Sequence, residues 1–108
     1  MEKTATDVRH VVIFKYKDGA SSEQIQKVTD AFRDLQNQIP GIRSFEHGVN
    51  NSPEGMNLGF THVYILTFDS VQSRDTYLPH PRHQQFGGLL KQLDIVAGVF
   101  VVDYVPAL

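Results

Sequence analysis

The sequence predicts an α+β fold: a ferredoxin-like (βαβ)2 domain with a four-stranded antiparallel sheet, helices on one face, and a second copy completing a dimeric α+β barrel. Three observations predict it. The segment His10-Val11-Val12-Ile13-Phe14-Lys15-Tyr16 returns 52 positions later as His62-Val63-Tyr64-Ile65-Leu66-Thr67-Phe68. Each copy runs into a turn and then a helix-like segment, so a chain of 108 residues, too short for two domains, holds one strand-helix-strand unit twice. The far sides of the repeated strands carry Val11, Ile13, Val63 and Ile65, too apolar a surface to leave in water.

Each element follows from local pattern. Residues 8–17 alternate and are rich in Val, Ile, Phe and Tyr, predicting a strand with Val8, His10, Val12, Phe14 and Tyr16 on one face. Asp18-Gly19-Ala20 ends it. Ser21 and Gln24 have capping-box spacing, and Ile25, Val28, Phe32, Leu35 and Ile39 recur at helical intervals up to Pro40-Gly41, predicting a helix over about 22–38. A weaker strand covers Ile42 to Val49, and Asn50-Asn51-Ser52-Pro53-Glu54-Gly55 is a loop of turn formers. The third strand runs from Phe60 to Phe68, with Phe60, His62, Tyr64, Leu66 and Phe68 sharing a face. Ser70 to Leu78 forms a short helix that Pro79 and Pro81 interrupt. A further helix from about His83 to Leu93 presents Phe86, Leu89, Leu90 and Leu93. Ile95 to Val105 is the last strand, giving Val99 and Val101, or their neighbours, to the second sheet face. Burying each β-branched residue of that face is worth roughly 1.5–3 kcal/mol, which is the argument for a second subunit laid over it.

Composition narrows the function. With 41% hydrophobic and 20% charged residues, the chain reads as one soluble globular domain. A formal charge of -2 and a pI near 6.2 give no basic face for nucleic acid or an anionic membrane. The absence of cysteine excludes disulfides, thiolate metal sites and a cysteine nucleophile. Neither a secretory signal nor a membrane-spanning run is visible, so the expected location is cytoplasmic.

Histidine alone changes charge near neutral pH without help, and the chain has five. His10 and His62 point by alternation to the helix-covered side, on strands expected to be central neighbours, so the two imidazoles are expected close together. In Tyr77-Leu78-Pro79-His80-Pro81-Arg82-His83 the prolines turn the backbone and aim polar side chains at one point. Tyr77 offers a hydroxyl and His83 an acid or base suited to proton transfer. His80 reads as a helix N-cap or turn residue, and His47 as a surface one. The His80/His83 spacing lacks the further ligands of a metal signature, so neither metal nor cofactor is expected.

Several motifs in fixed order carry a resemblance. They are Val8-Arg9-His10-Val11-Val12 with Phe14-Lys15-Tyr16-Lys17-Asp18, Gly59-Phe60-Thr61-His62, Thr67-Phe68-Asp69-Ser70, Tyr77 with His80-Pro81-Arg82-His83 and Phe86, and Asp103-Tyr104-Val105-Pro106. Together they resemble the stress-responsive α/β-barrel (Dabb) family over residues 8–106, a single domain behind an N-terminal tail of residues 1–7. The resemblance implies a ferredoxin-like subunit that forms a homodimeric barrel. It also implies the chemistry of the family's plant polyketide cyclase, an intramolecular aldol condensation that retains the carboxylate. In that comparison His83 matches the general base, Tyr77 its hydrogen-bonding partner, and His10 and His62 the other histidines of the pocket. Phe32, Tyr64 and Phe86 complete the expected substrate-binding lining. The expected function is therefore a pocket that binds or transforms a small carbonyl or carboxylate compound by acid-base chemistry. Two alternatives are a non-enzymatic stress-associated oligomer and a cofactor-free monooxygenase of the same barrel shape.

Overall fold

The computed structural model describes residues 6–107. Of the expected N-terminal tail, residues 1–5 lie outside the described residues. The elements follow in the order β1 (Val8–Tyr16), α1 (Ser22–Gln38), β2 (Ile42–Val49), β3 (His62–Phe68), α2 (Val71–Tyr77), α3 (Pro81–Leu93) and β4 (Val96–Tyr104). The four strands form one antiparallel sheet in the order β2-β3-β1-β4, the ferredoxin-like arrangement that the doubled pattern predicts.

Helix α1 begins where its side chains satisfy the free backbone amides. Ser21 Oγ accepts from the Gln24 amide at 3.0 Å, and Gln24 Oε1 accepts from the Ser21 amide at 3.0 Å, a complete capping box. Val28, Thr29, Phe32 and Leu35 are its buried positions. The chain then turns at Gly41, whose φ of +94° suits glycine and where a Cβ would lie 2.6 Å from Ser73 Cβ. The Gly41 carbonyl accepts from the Asp69 amide at 2.9 Å, tying the start of β2 to the end of β3.

Two boundaries differ from the sequence reading by more than one residue. Helix α3 starts at Pro81 rather than His83, because proline lacks only an amide hydrogen that the first helical turn leaves unpaired. His80 is its N-cap, with Nδ1 accepting from the Arg82 amide at 3.0 Å. Strand β3 starts at His62 rather than Phe60, since Leu58 and Gly59 both take positive φ and break the alternation. Phe60 therefore leaves the helix-covered face and meets Phe100, ring centroids 6.3 Å apart, beside Ile13 and Val63.

Side-chain parity distributes the rest. Val8, Val12, Phe14, Tyr64, Leu66 and Phe68 are buried under the helices with Val28, Phe32, Leu35 and Ile39. On the opposite face the register places Val11 beside Ile65 and Val102, and Ile13 beside Val63 and Phe100. Phe100 and Val102, not Val99 and Val101, are thus β4's contribution to that face, and they are 54% and 44% exposed. Among the described residues no helix is long and apolar enough to cross a membrane.

Leu66 is fully buried at the centre of β3. Leu66→Ala is expected to cost about 2–5 kcal/mol in urea unfolding; a loss well under 1 kcal/mol would show that the core is centred elsewhere.

Candidate functional site

The helix-covered side of β1 meets α2 and α3 around a cavity of about 180 Å3, lined by His10, Val12, Phe14, Phe32, Tyr77, His83, Phe86, Gly87, Leu90, Val99 and Val101. The strand supplies the floor with His10, and the proline-broken helices supply Tyr77 and His83. Tyr77 closes α2, and His83 lies in the first turn of α3. The Pro79-His80-Pro81 turn between them brings their rings to 4.3 Å. His10 approaches the Tyr77 ring from below, at 5.7 Å.

Hydrogen bonds set the protonation pattern. His83 Nδ1 lies 2.9 Å from the Leu78 carbonyl, which can only accept, so Nδ1 carries the hydrogen and neutral His83 presents Nε2 as a base. His10 Nδ1 lies 2.7 Å from Asp103 Oδ1 and donates to that carboxylate. The other oxygen of Asp103 accepts from Arg74 Nη1 at 2.8 Å. Burial lowers the pKa of His10, against the opposing pull of Asp103, and so favours the neutral imidazole. Tyr77 is shifted upward by burial and by the negative charge of Asp103, so its phenol stays protonated.

The Tyr77 hydroxyl is the unusual atom. The residue is 0% exposed, and its oxygen has no hydrogen-bond partner among the described residues. A buried hydroxyl left unpaired costs about 1–3 kcal/mol. Tyr77 thus brings to the cavity wall a fixed donor with nothing to donate to, beside an imidazole with a free lone pair. A larger depression of about 320 Å3, along Glu46 to Asn51 with Val63 and Ile65, contains none of these groups and belongs to the sheet's other side.

Of the residues singled out from the sequence, His10, Phe32, Tyr77, His83 and Phe86 line this cavity, and His62 and Tyr64 do not. The expectation that His10 and His62 lie close together is corrected by the register. In the antiparallel pair His10 stands opposite Leu66 and His62 opposite Phe14, four residues away along β1 or about 13 Å. His62 instead packs its ring 4.8 Å from Tyr16, with Nδ1 2.8 Å from Thr61 Oγ1. Tyr64 lies behind the lining, its ring 5.1 Å from Phe32 and its hydroxyl 2.9 Å from both Tyr16 Oη and Thr29 Oγ1. Sequence reasoning gave Asp103 and Arg74 no role. Only the β1–β4 register, which sets His10 opposite Asp103, reveals the pair. No three His, Cys, Asp or Glu side chains among the described residues are grouped as a metal site requires.

A model of the Stress responsive A/B Barrel Domain, Dabb, matches residues 8–106. The chain belongs to the Dabb family. It is 33% identical over 106 residues to the stress-response A/B barrel domain-containing protein HS1 of Arabidopsis thaliana, covering 98% of this chain and 95% of HS1. It is 27% identical over 99 residues to the olivetolic acid cyclase of Cannabis sativa, covering 92% and 96%. The solved hydroxynitrile lyase of Passiflora edulis superposes with a TM-score of 0.85 at 27% identity, covering 96% of each chain. A dimeric ferredoxin-like protein from Bacteroides fragilis gives 0.68 at 27% identity, covering 93% of this chain and 96% of its own.

In this Dabb chain His10 has a folded pKa below its ordinary value of 6.5, so on acidification the unfolded chain takes up a proton first. The stability His10 contributes is therefore fully present above about pH 6.5 and is lost as pH falls below it. Melting temperatures followed from about pH 7.5 to 5.5 are expected to fall less steeply for His10→Gln than for wild type. Equal slopes would remove His10 as a source of acid sensitivity.

Proposed function

We propose that this Dabb protein binds a small carbonyl or carboxylate compound in the cavity under α2 and α3 and transforms it by acid-base chemistry at a carbon–carbon bond. The observation that carries this reading is the Tyr77 hydroxyl, wholly buried and unpartnered on a residue that lines one cavity with His83 and His10. A ligand oxygen placed there satisfies the hydroxyl and recovers the cost of leaving it unpaired. His83 Nε2 accepts a proton from a hydroxyl or activated C–H of the ligand, and the imidazolium returns it to the product. Tyr77, kept protonated, donates to the oxygen on which charge develops. The apolar walls hold one conformer, and a space of about 180 Å3, roughly six waters' worth, suits a compound smaller than a drug-sized ligand.

Two relatives support the chemistry. One is named a cyclase and another a hydroxynitrile lyase. Closing a ring through carbon and cleaving a hydroxynitrile both need a proton moved and an adjacent oxygen stabilised. A purely structural role, in keeping with the stress-response name of HS1, gives no reason for an unpaired hydroxyl inside a hollow.

The same reading makes the protein a cytoplasmic homodimer, with no nucleic-acid or membrane partner. Phe100 and Val102, with Val11, Ile13, Val63 and Ile65, form an apolar sheet face that helices do not cover. Relatives described as dimeric support its pairing with a second copy.

The assays are cleavage of benzaldehyde cyanohydrin and cyclisation of a short β-polyketone thioester. His83→Ala is expected to lower kcat by about 10²–10⁴. Tyr77→Phe is expected to lower it by roughly 10²–10³ while leaving stability unchanged or slightly raised, since it deletes an unpaired group. Unchanged turnover in both variants eliminates the mechanism. For the dimer, Phe100→Asp is expected to sediment as a monomer at micromolar concentration, and a monomeric wild type would sink the pairing.

A further inference from the structure

Helix α3 contains two adjacent glycines, Gly87 and Gly88, well inside its span of Pro81–Leu93. Apart from proline, glycine is the poorest helix former, so a pair in mid-helix needs a reason. Backbone conformation supplies none, because neither residue is among the glycines with positive φ. Packing supplies none either: a Cβ built on Gly87 or Gly88 meets no atom within 4 Å. What separates the two is position. Gly87 lines the cavity that Tyr77, His83 and His10 also line, and Gly88 does not. Gly87 is also exposed, which puts it where the cavity meets solvent. The preceding residue, Phe86, is a wall shared between this cavity and the surface groove along α1 that includes Asp34 and Arg82.

We infer that Gly87 forms the mouth of the cavity and that its missing side chain sets the size of ligand admitted. The inference rests on reading the cavity as a ligand site. Open space at residue 87 extends the hollow outward from Tyr77 and His83, so a ligand anchored by its oxygen at Tyr77 projects its far end past α3 at this point. A methyl there meets no atom within 4 Å, so Gly87→Ala narrows the opening without touching the polar groups, whereas a longer side chain also reaches back toward His83 one turn away. Gly87 is thus a specificity-determining residue and takes no part in proton transfer.

The test uses benzaldehyde and 4-butylbenzaldehyde as short and long carbonyl probes, with dissociation constants measured by NMR titration of the full chain. Gly87→Ala is expected to weaken the long probe tenfold or more and the short probe less than threefold. Gly87→Leu is expected to weaken both at least tenfold. Gly88→Ala and Gly88→Leu are expected to bind both probes as wild type does. Gly87→Ala and Gly88→Ala are each expected to raise the melting temperature by roughly 4–8 °C, so weaker binding by the former cannot be ascribed to unfolding. Wild-type affinity of Gly87→Leu for both probes, or equal losses in the residue 88 variants, overturns the inference. If that happens while Tyr77→Phe weakens binding, the reading of the cavity stands without it. If wild type binds neither probe, the cavity reading and the inference fall together.

Discussion

The pairing of β1 with β3 is the constraint on which the rest of the molecule depends. Because successive side chains of a strand point to opposite faces, the register that sets Val12 opposite Tyr64 and His10 opposite Leu66 also assigns every bulky residue of both strands. A slip of one residue in β3 would turn Leu66 and Phe68 out of the core and bring Ile65 into it. The buried aromatic side chains of β1 and β3 lie under the helices, while their smaller β-branched ones form the second face with Phe100 and Val102 of β4. The register that builds the core therefore leaves an apolar sheet surface behind. The same register fixes where the imidazoles go, and it separates two histidines that occupy equivalent places in the repeat. Antiparallel strands carry equivalent positions at opposite ends.

Within the site a single carboxylate organises the charges. Asp103 is only partly accessible and would be costly to hold there alone; Arg74 and His10 each take one of its oxygens. Arg74 balances its charge. His10 is oriented by it but kept neutral by burial, since desolvation is the largest influence on its pKa. Tyr77 feels the same carboxylate and the same burial, and both oppose its ionisation. The cavity consequently offers a phenol that donates and imidazoles whose free nitrogens accept. That division of roles rests on one half-buried carboxylate and an arginine to compensate it.

Much of this was legible in the chain. The doubled strand pattern, the Ser21–Gln24 cap and the Pro-His-Pro break gave the element order and brought Tyr77 and His83 to one place, because all are local signals read over a few residues. Phe32 and Phe86 followed from helical periodicity, which aims both inward. What was not legible is what long-range register decides. His10 and Asp103 are 93 positions apart, and their contact exists only once β4 is aligned on β1. His62 misled for the same reason: a repeat in sequence is not a coincidence in space when the strands run in opposite directions. Tyr64 points to the helix side as alternation requires, but its hydroxyl is taken up by Tyr16 and Thr29, and no periodicity reveals that. Pro81 was read as a helix breaker, although at the first helical position it is a helix starter.

The two halves of the repeat differ in one respect, and the cavity lies in that difference. In the first half, α1 runs unbroken for 17 residues. Its Thr29 and Phe32 press against Tyr64, so the hydroxyls there are paired. In the second half, the equivalent segment is split by prolines into a helix of 7 residues and one of 13. A split helix cannot present one continuous ridge to the sheet, and the His10 end of β1 is covered by the junction of two short pieces. Packing around such a junction leaves space, and the junction's own residues, Tyr77 and His83, border it. Had the second helix been continuous, side chains at helical spacing would have filled this end as they fill the other, and the Tyr77 hydroxyl would have met a partner as that of Tyr64 does. The duplication thus builds a stable sheet and core twice over, and the proline break in one copy opens a largely apolar hollow bordered by Tyr77 and His83. The proposed site therefore lies where the fold departs from its internal symmetry.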